Sequence, residues 1–283
     1  MKNRRISPLT DKMQPGVIYI VGAGPGDPTL ITVRGLRLLQ QADVVLYDRL
    51  APRALLEETP PGCEHIYVGK EPGGRAMPQE TIIRLMIQLA RASKRVVRLK
   101  GGDPYVFGRG SEEALALRAA GIPFHVVPGI SSAIAAPAAA GIPLTHQHLA
   151  RGFVVVTGRT RHETLPPTQS PPSYPDPLAH LDLKALAAID TIVVLMGVSI
   201  LGELCEGLIT VGRSPDTPVA IIERGTTAAE RILCGRLADI AELAKDAGIH
   251  PPATIVIGNV VALQPALQPP HAPNHHHPTP THP

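Results

Sequence analysis

Short apolar runs rich in valine and isoleucine alternate with longer amphipathic segments along the first half of the chain. Apolar runs of this length are typical of buried parallel strands, and the segments between them have helical periodicity. The pattern predicts strands at residues 17–21, 44–47, 66–68, 96–99 and 124–127, with helices at 32–41, 79–93 and 111–120. It therefore indicates an αβ domain built on a mostly parallel sheet.

A second series of apolar runs predicts strands at 153–156, 191–195, 219–222, 232–234 and 254–257. The runs at 219–222 and 232–234 are close enough in sequence to pair as antiparallel strands, so this sheet is expected to be mixed. The predicted fold class is α/β, with two αβα domains and a ligand cleft between them.

The same pattern divides the chain into a flexible extension at 1–16, a first domain at 17–140 and a second at 141–264. A proline-rich insertion is expected at about 160–181, because six prolines fall within 166–177. The histidine- and proline-rich tail at 265–283 cannot bury enough surface to fold, and its histidines have no fixed metal-binding geometry. Both segments are expected to be disordered.

Composition narrows the class of protein. The 283 residues are 44% hydrophobic and 18% charged, with a net charge of +3 and no basic tract interleaved with aromatics, so a nucleic-acid partner is not expected. Cys63, Cys205 and Cys234 lack metal-finger spacing and predict three free, mostly buried thiols in a reducing compartment. The longest apolar stretch, 133–144, is too short to span a membrane. A cytoplasmic enzyme without membrane attachment is the expectation.

Glycine-rich turns follow the first and fourth predicted strands, as GAGPGD and KGGDP. Glycine lets a ligand approach the main chain, so the two turns are predicted to form two walls of one small-molecule site. Within the second turn, Gly101 and Gly102 expose backbone, and Asp103 can accept hydrogen bonds from a ligand.

Asp48 ends the second strand as a ribose-binding acid would, so a dinucleotide site is an alternative interpretation. The third glycine of that motif falls on Asp27, and Pro25 and Pro28 remove amide donors and delay the next helix. An NAD-dependent oxidoreductase is therefore the weaker interpretation.

Two further features leave alternatives open. Tyr105 and Phe107 could stack on a flat ligand, or Phe107 could pack in the core. Ser131 and Ser132 in the third turn, PGISS, could bind a ligand or cap a helix. Ser111 is expected to cap the helix at 111–120.

Taken in order, GAGPGDPTLIT, DVVLYDRL, VGK, RLKGGDPYVFGRGSEE, VVPGISS, GIPLTH and VVLMG resemble the uroporphyrinogen-III C-methyltransferase family of tetrapyrrole methylases, over about 17–263. The resemblance implies a homodimer that transfers methyl groups from S-adenosyl-L-methionine to C2 and C7 of uroporphyrinogen III, giving precorrin-2 through precorrin-1 and releasing S-adenosyl-L-homocysteine. It implies no metal. It assigns the proton acceptor to Asp48 and the proton donor to Lys70, and the cofactor site to Pro25, Gly101, Gly102, Asp103, Val106, Ser131, Ser132, Met196, Gly225 and Ala253.

The substrate carries many carboxylates, so a cationic binding surface is expected, with Arg49, Arg109 and His146 as candidates beside Arg75 and Arg151. The chain departs from the family at Leu195, where a tyrosine is usual, and in its insertion and tail. With no dehydrogenase and chelatase module before Val17, a stand-alone methylase is expected. The alternatives are a methylase of a later corrinoid intermediate, or a protein that binds S-adenosylmethionine without turnover.

Overall fold

The computed structural model describes residues 12–69, 77–159 and 178–267. This part of the chain divides into two compact units. The first contains the described residues up to Ala136 together with Arg224–Glu230, and the second contains the remainder. The segment Arg224–Glu230 therefore belongs to the first unit although both of its flanking strands belong to the second, which the sequence did not indicate.

The first unit is built on a parallel sheet. Its strands are β1 (Ile18–Gly22), β2 (Val44–Tyr47), β3 (Glu64–Tyr67), β4 (Val96–Lys100) and β5 (Phe124–Val127), in the order β3-β2-β4-β1-β5. All four strand pairs are parallel, so the carboxyl ends of the strands lie at one edge. The prediction of a mostly parallel sheet is confirmed.

Helices cover both faces of this sheet. They are α1 (Val33–Leu39) on one face, and α2 (Gln79–Arg91) and α3 (Gly110–Ala119) on the other. Helix α4 (Ser132–Ala139) follows β5, and the boundary between the two units falls within it, after Ala136. Helix α2 buries Ile82, Met86 and Ala90, which recur every fourth residue and so share one face. The predicted cap at Ser111 is wrong: α3 begins one residue earlier, and the Ser111 hydroxyl donates to Glu112 Oε2 at 3.1 Å.

The second unit is built on a mixed sheet. Its strands are β6 (Phe153–Thr157), β7 (Thr191–Leu195), β8 (Pro218–Glu223), β9 (Arg231–Arg236) and β10 (Ala253–Ile257), in the order β6-β7-β10-β8-β9. Only β6 and β7 pair in parallel. The remaining pairs are antiparallel, including the predicted pair β8 and β9, so the prediction of a mixed sheet is confirmed.

The core of the second unit lies between this sheet and its helices. These are α5 (Leu183–Ala187), α6 (Leu201–Thr210), α7 (Ile240–Asp246) and α8 (Gln264–Leu267). Leu204 and Leu208 of α6 are fully buried against Ile192 and Ile255 of the sheet. The last turn, α8, extends the folded region to Leu267.

The sequence predicts no membrane-spanning segment and mostly buried cysteines. No helix among them is long and apolar enough to cross a membrane. The three cysteines are free, but only Cys205 is buried, while Cys63 is half-buried and Cys234 is exposed. The prediction of mostly buried thiols is therefore wrong, because β9 is an edge strand and leaves Cys234 accessible.

Candidate active site at the carboxyl edge of the first sheet

Three glycine-containing turns pack backbone against backbone where β1, β4 and β5 end. The Gly102 N–H donates to Gly24 O at 2.7 Å, and the Gly24 N–H donates to Gly102 O at 3.3 Å. A Cβ added to Gly22 would lie 2.5 Å from Gly129 Cα and 2.7 Å from Gly102 O. No side chain fits between these turns, so glycine is required at Gly22 by packing alone.

The two glycines of KGGDP have different environments. A Cβ on Gly101 would lie 2.5 Å from Leu50 Cβ, so this glycine lets the loop after β2 approach the strand end. Gly102 has φ +65°, and a Cβ there would meet only Ser131 Cα, at 4.0 Å. The backbone of Gly102 is therefore uncrowded on the side facing Ser131, and a Cβ would fill that space.

Asp103 uses both carboxylate oxygens to brace the turns. Oδ1 accepts from the Tyr105 N–H at 2.8 Å, and Oδ2 accepts from the Gly129 N–H at 3.0 Å. A carboxylate oxygen has two lone pairs, so each retains one acceptor position for a ligand. The sequence identified this residue but not its role in holding the turns together.

The third turn continues into α4. The Ser131 hydroxyl accepts from the Ala133 N–H at 3.2 Å, which is the geometry of an N-cap. Ser132 is the first residue of the helix. Of the two interpretations left open for Ser131, helix capping is observed.

The loop between Asp103 and α3 exposes apolar side chains. Phe107 is 43% exposed, and Tyr105 and Val106 are also exposed, so packing of Phe107 in the core is the wrong alternative. Phe107 and Arg109 have φ values of 51° and 58°, which are unfavourable for residues with a side chain. Such strained positions are often found at ligand sites.

The first glycine turn, which includes Pro25, is covered by Arg224–Glu230. The Asp27 N–H donates to Thr226 Oγ1 at 3.2 Å, and a Cβ on Gly26 would lie 3.3 Å from Gly225 O. The predicted cofactor residues Pro25 and Gly225 thus belong to neighbouring segments of the first unit.

The same turn has no helix N-terminus for a pyrophosphate. A short 3-10 helix, Pro28–Leu30, follows it, and α1 begins only at Val33. Asp27 caps the 3-10 helix, with Oδ1 accepting from the Thr29 N–H at 2.8 Å. This arrangement removes the main feature of a dinucleotide-binding turn.

Asp48 follows β2 at the same sheet edge. Its Oδ1 accepts from the Leu50 N–H at 3.1 Å, and its Oδ2 lies 3.6 Å from Arg98 Nη2. The Asp48 side chain is 27% exposed whereas that of Arg98 is 4% exposed, so the carboxylate has a buried cation on one side and access to solvent on the other. Lys70 and Arg75 lie outside the described residues.

A buried ion cluster beneath Asp48 was missed by sequence reasoning. Arg98 Nε and Lys100 Nζ lie 3.2 and 3.1 Å from Glu113 Oε1, and Gln79 Nε2 donates to the same oxygen at 3.0 Å. Burial, together with the charge of Arg98, lowers the pKa of Lys100, whereas Glu113 acts in the opposite direction. The available signal was two cations spaced two residues apart in an otherwise apolar strand, which places both on one face.

Among the candidate substrate cations, Arg49 is exposed and directly follows Asp48. Arg109 is half exposed, and its Nε lies 3.3 Å from Glu112 Oε1. Both belong to the first unit. His146 belongs to the second, where its N–H donates to Ala150 O at 2.8 Å and its ring lies 5.9 Å from that of His148.

Two predicted cofactor residues also lie in the second unit. Met196 directly follows β7, and Ala253 is the first residue of β10. Because Leu195 is paired with Thr254 in an antiparallel register, Met196 and Ala253 lie at the same sheet edge. Met196 has φ 55° and is exposed, so it is another strained residue available to a ligand.

No group of three or more histidine, cysteine or acidic side chains is arranged to hold a metal ion in the part of the chain that the structure describes.

The chain belongs to the family Tetrapyrrole (Corrin/Porphyrin) Methylases, which it matches over residues 17–241. This confirms the family predicted from the motifs. The fold agrees with the solved structure of uroporphyrin-III C-methyl transferase from Thermus thermophilus complexed with S-adenyl homocysteine. That chain is 43% identical with a TM-score of 0.71, and the match covers 87% of this chain and 99% of the Thermus chain.

A curated relative from Methanosarcina barkeri, S-adenosyl-L-methionine-dependent uroporphyrinogen III methyltransferase, is 48% identical over 253 residues, covering 89% of this chain and 94% of the relative. A solved cobalt precorrin-4 methyltransferase is 33% identical with a TM-score of 0.73, and the match covers 87% of this chain and 96% of that one. The chain spans about half the length of the siroheme synthases it matches, such as that of Pseudomonas fluorescens, which is 46% identical and covered over 52% of its length.

Proposed function

We propose that this protein is an S-adenosyl-L-methionine-dependent C-methyltransferase that methylates uroporphyrinogen III at C2 and C7, giving precorrin-2 through precorrin-1 and S-adenosyl-L-homocysteine. The observation that carries the proposal is the similarity to the Methanosarcina methyltransferase along nearly the whole of both chains. The arrangement of turns and charges at the carboxyl edge of the first sheet supports it.

The described residues fit the cofactor. Backbone at Gly102 is open beside Ser131, and the exposed side chains of Tyr105, Val106 and Phe107 offer apolar surface to a nucleoside. S-adenosylmethionine supplies a methyl group already activated on a sulfonium. The residues proposed to hold it are Pro25, Gly101, Gly102, Asp103, Val106, Ser131, Ser132 and Gly225 of the first unit and Met196 and Ala253 of the second.

Side chains of the protein are proposed to align the substrate and to accept the proton that it loses on methylation. As a ring carbon of the substrate forms its bond to the methyl carbon, the methyl–sulfur bond breaks and the ring system must lose a proton. Asp48 is the proposed acceptor, because its carboxylate is accessible at the strand end and lies 3.6 Å from the buried guanidinium of Arg98. Lys70 is the proposed proton donor, on the basis of the family resemblance.

Arg49 and Arg109 are proposed to bind substrate carboxylates, because both are accessible cations in loops beside the candidate site. His146 of the second unit is a further proposed contact. The homodimer and the cytoplasmic location expected from the sequence are also part of this proposal.

The second candidate function is methylation of a later corrinoid intermediate, which the similarity to the cobalt precorrin-4 methyltransferase favours. One experiment separates the two. The purified protein is incubated anaerobically with S-adenosylmethionine and either uroporphyrinogen III or precorrin-4 in its cobalt form, and the products are analysed by mass spectrometry. Two methyl groups added to uroporphyrinogen III support the proposal. Methylation of precorrin-4 alone would replace it with the second function, and methylation of neither would reject both.

A further inference from the structure

Glu113 is the centre of the buried ion cluster. Its side chain is fully buried, and Oε1 accepts hydrogen bonds from Arg98 Nε, Lys100 Nζ and Gln79 Nε2, all within 3.2 Å. Its Oε2 is buried with no hydrogen-bond partner among the described residues. Both cations come from β4, whose remaining residue on this face, Val96, is apolar and belongs to the core, whereas Glu113 comes from α3.

The cluster has an unbalanced charge without Asp48. Arg98 and Lys100 supply two positive charges, and Glu113 supplies one negative charge. Burying an unpaired charge is costly, so the remaining positive charge favours a carboxylate nearby. Asp48 Oδ2 lies 3.6 Å from Arg98 Nη2, while Nε of the same guanidinium lies 3.2 Å from Glu113 Oε1.

We propose that Glu113 is a positioning residue for methyl transfer: its carboxylate offsets part of the positive charge of Arg98 and Lys100, and so sets the charge beside Asp48. The proposal rests on the proposed function, in which Asp48 accepts the proton. Glu113 itself does not contact the substrate, because it is buried beneath the strand ends.

The charged groups around Asp48 come from each neighbouring element. Strand β4 supplies Arg98 and Lys100, α3 supplies Glu113, and Arg49 follows Asp48 in its own loop. Helix α2 contributes the uncharged amide of Gln79, while its Glu80 is exposed. Strand β3 brings Tyr67 against Tyr47, with ring centroids 5.4 Å apart. Neutral substitutions of Lys100 and of Glu113 should therefore change the charge beside the Asp48 carboxylate in opposite directions.

The test compares Glu113→Gln, Lys100→Met and the double variant in the full-length protein. The pH dependence of kcat for methylation of uroporphyrinogen III is measured by mass spectrometry. Removing the negative charge of Glu113 leaves more positive charge beside Asp48, so the acidic fall in kcat should move to lower pH; removing Lys100 leaves less positive charge there, so the fall should move to higher pH. Each shift is expected to be about 0.5 unit or more, and the double variant should lie between the two.

The excess positive charge beside the proposed base should also lower the plateau kcat of Glu113→Gln by about 10- to 100-fold, with the affinity for S-adenosylhomocysteine unchanged. Circular dichroism verifies folding, and should Glu113→Gln alone fail to fold, the double variant is compared with Lys100→Met, and its acidic fall in kcat should lie at lower pH. Shifts in the same direction, or none in folded variants, would overturn the role of Glu113. An unchanged acidic fall in Asp48→Asn would instead reject Asp48 as the proton acceptor, so the two failures are distinguishable.

Discussion

The Asp103 carboxylate accepts a hydrogen bond from the Gly129 N–H at 3.0 Å and so ties the turn after β4 to the turn after β5. Gly129 also lies against Gly22, in the turn after β1. The candidate site is thus a stack of main-chain turns held by one side chain. Its glycines are required for packing first, and only Gly102 leaves backbone uncrowded for a ligand.

Gly129→Ala is expected to destabilise the protein by about 1–3 kcal/mol or more, because a Cβ there would lie 2.7 Å from Gly22 Cα and would overlap Gly102 O. Urea denaturation measures the change in the free energy of unfolding. Gly202→Ala, in α6 with nothing within 4 Å of the added Cβ, is the control and should be stabilising by about 0.5–1 kcal/mol. Equal stability of the two variants would contradict the backbone packing described above.

Gly102→Ala tests the open backbone as part of the cofactor site. Gly102 and Gly62 have φ values of +65° and +85°, and a Cβ meets nothing closer than 4.0 Å at either position. Alanine should therefore destabilise both by a similar amount, about 1–2 kcal/mol. Only Gly102→Ala should weaken binding of S-adenosylhomocysteine, measured by isothermal titration calorimetry. Equal affinity in both variants would remove Gly102 from the proposed cofactor site.

Much of the fold could be predicted from the sequence, because most of its strands are short runs rich in valine and isoleucine, and central strands such as β1, β7, β8 and β10 are buried on both faces. The glycine turns could also be predicted, because glycine and proline restrict the local backbone conformation in characteristic ways. The N–H of Asp27 and the Thr226 hydroxyl meet although they are 199 residues apart in sequence, and no local pattern encodes that contact.

The ion cluster was missed for a different reason. Glu113 lies in the first turn of α3, where an acidic side chain is favourable and is ordinarily solvated, so its position carries no local sign of burial. Its burial depends on α3 packing over β4, so that its partners Arg98 and Lys100 become neighbours only in the folded chain. Charged residues at alternate positions of an apolar strand are the sequence feature that could have identified it.

Asp48→Asn is expected to lower kcat for methylation by about 100- to 10,000-fold, because the amide cannot accept the proton. The measurement is a mass-spectrometric rate assay with uroporphyrinogen III. Binding of S-adenosylhomocysteine should be unchanged, because Asp48 is not among the proposed cofactor residues. Asp43→Asn is a matched control, since Asp43 pairs with Arg95 just before the start of the same strand, away from the candidate site. Full activity of Asp48→Asn would reject its role as base.

Asp43→Asn should in turn change how stability depends on pH. Arg95 donates hydrogen bonds to the Asp43 carboxylate from its side chain, at 2.5 Å, and from its backbone N–H, at 2.8 Å. These bonds lower the pKa of Asp43 below the ordinary value of 3.8. A carboxyl with a lowered pKa stabilises the folded state above its unfolded pKa, and this contribution is lost as pH falls through the folded pKa.

Wild type should therefore exceed Asp43→Asn in stability by about 0.5–1 kcal/mol at neutral pH, since the pair is partly exposed, and the difference should narrow below pH 3.8. Urea denaturation of both proteins from pH 7 to pH 3 measures this. Asp216→Asn removes an ion pair with Arg236 whose carboxylate is largely exposed, so it should change stability little at any pH. A difference for Asp43→Asn that stays constant with pH would mean that the ionised carboxylate is not what Arg95 stabilises.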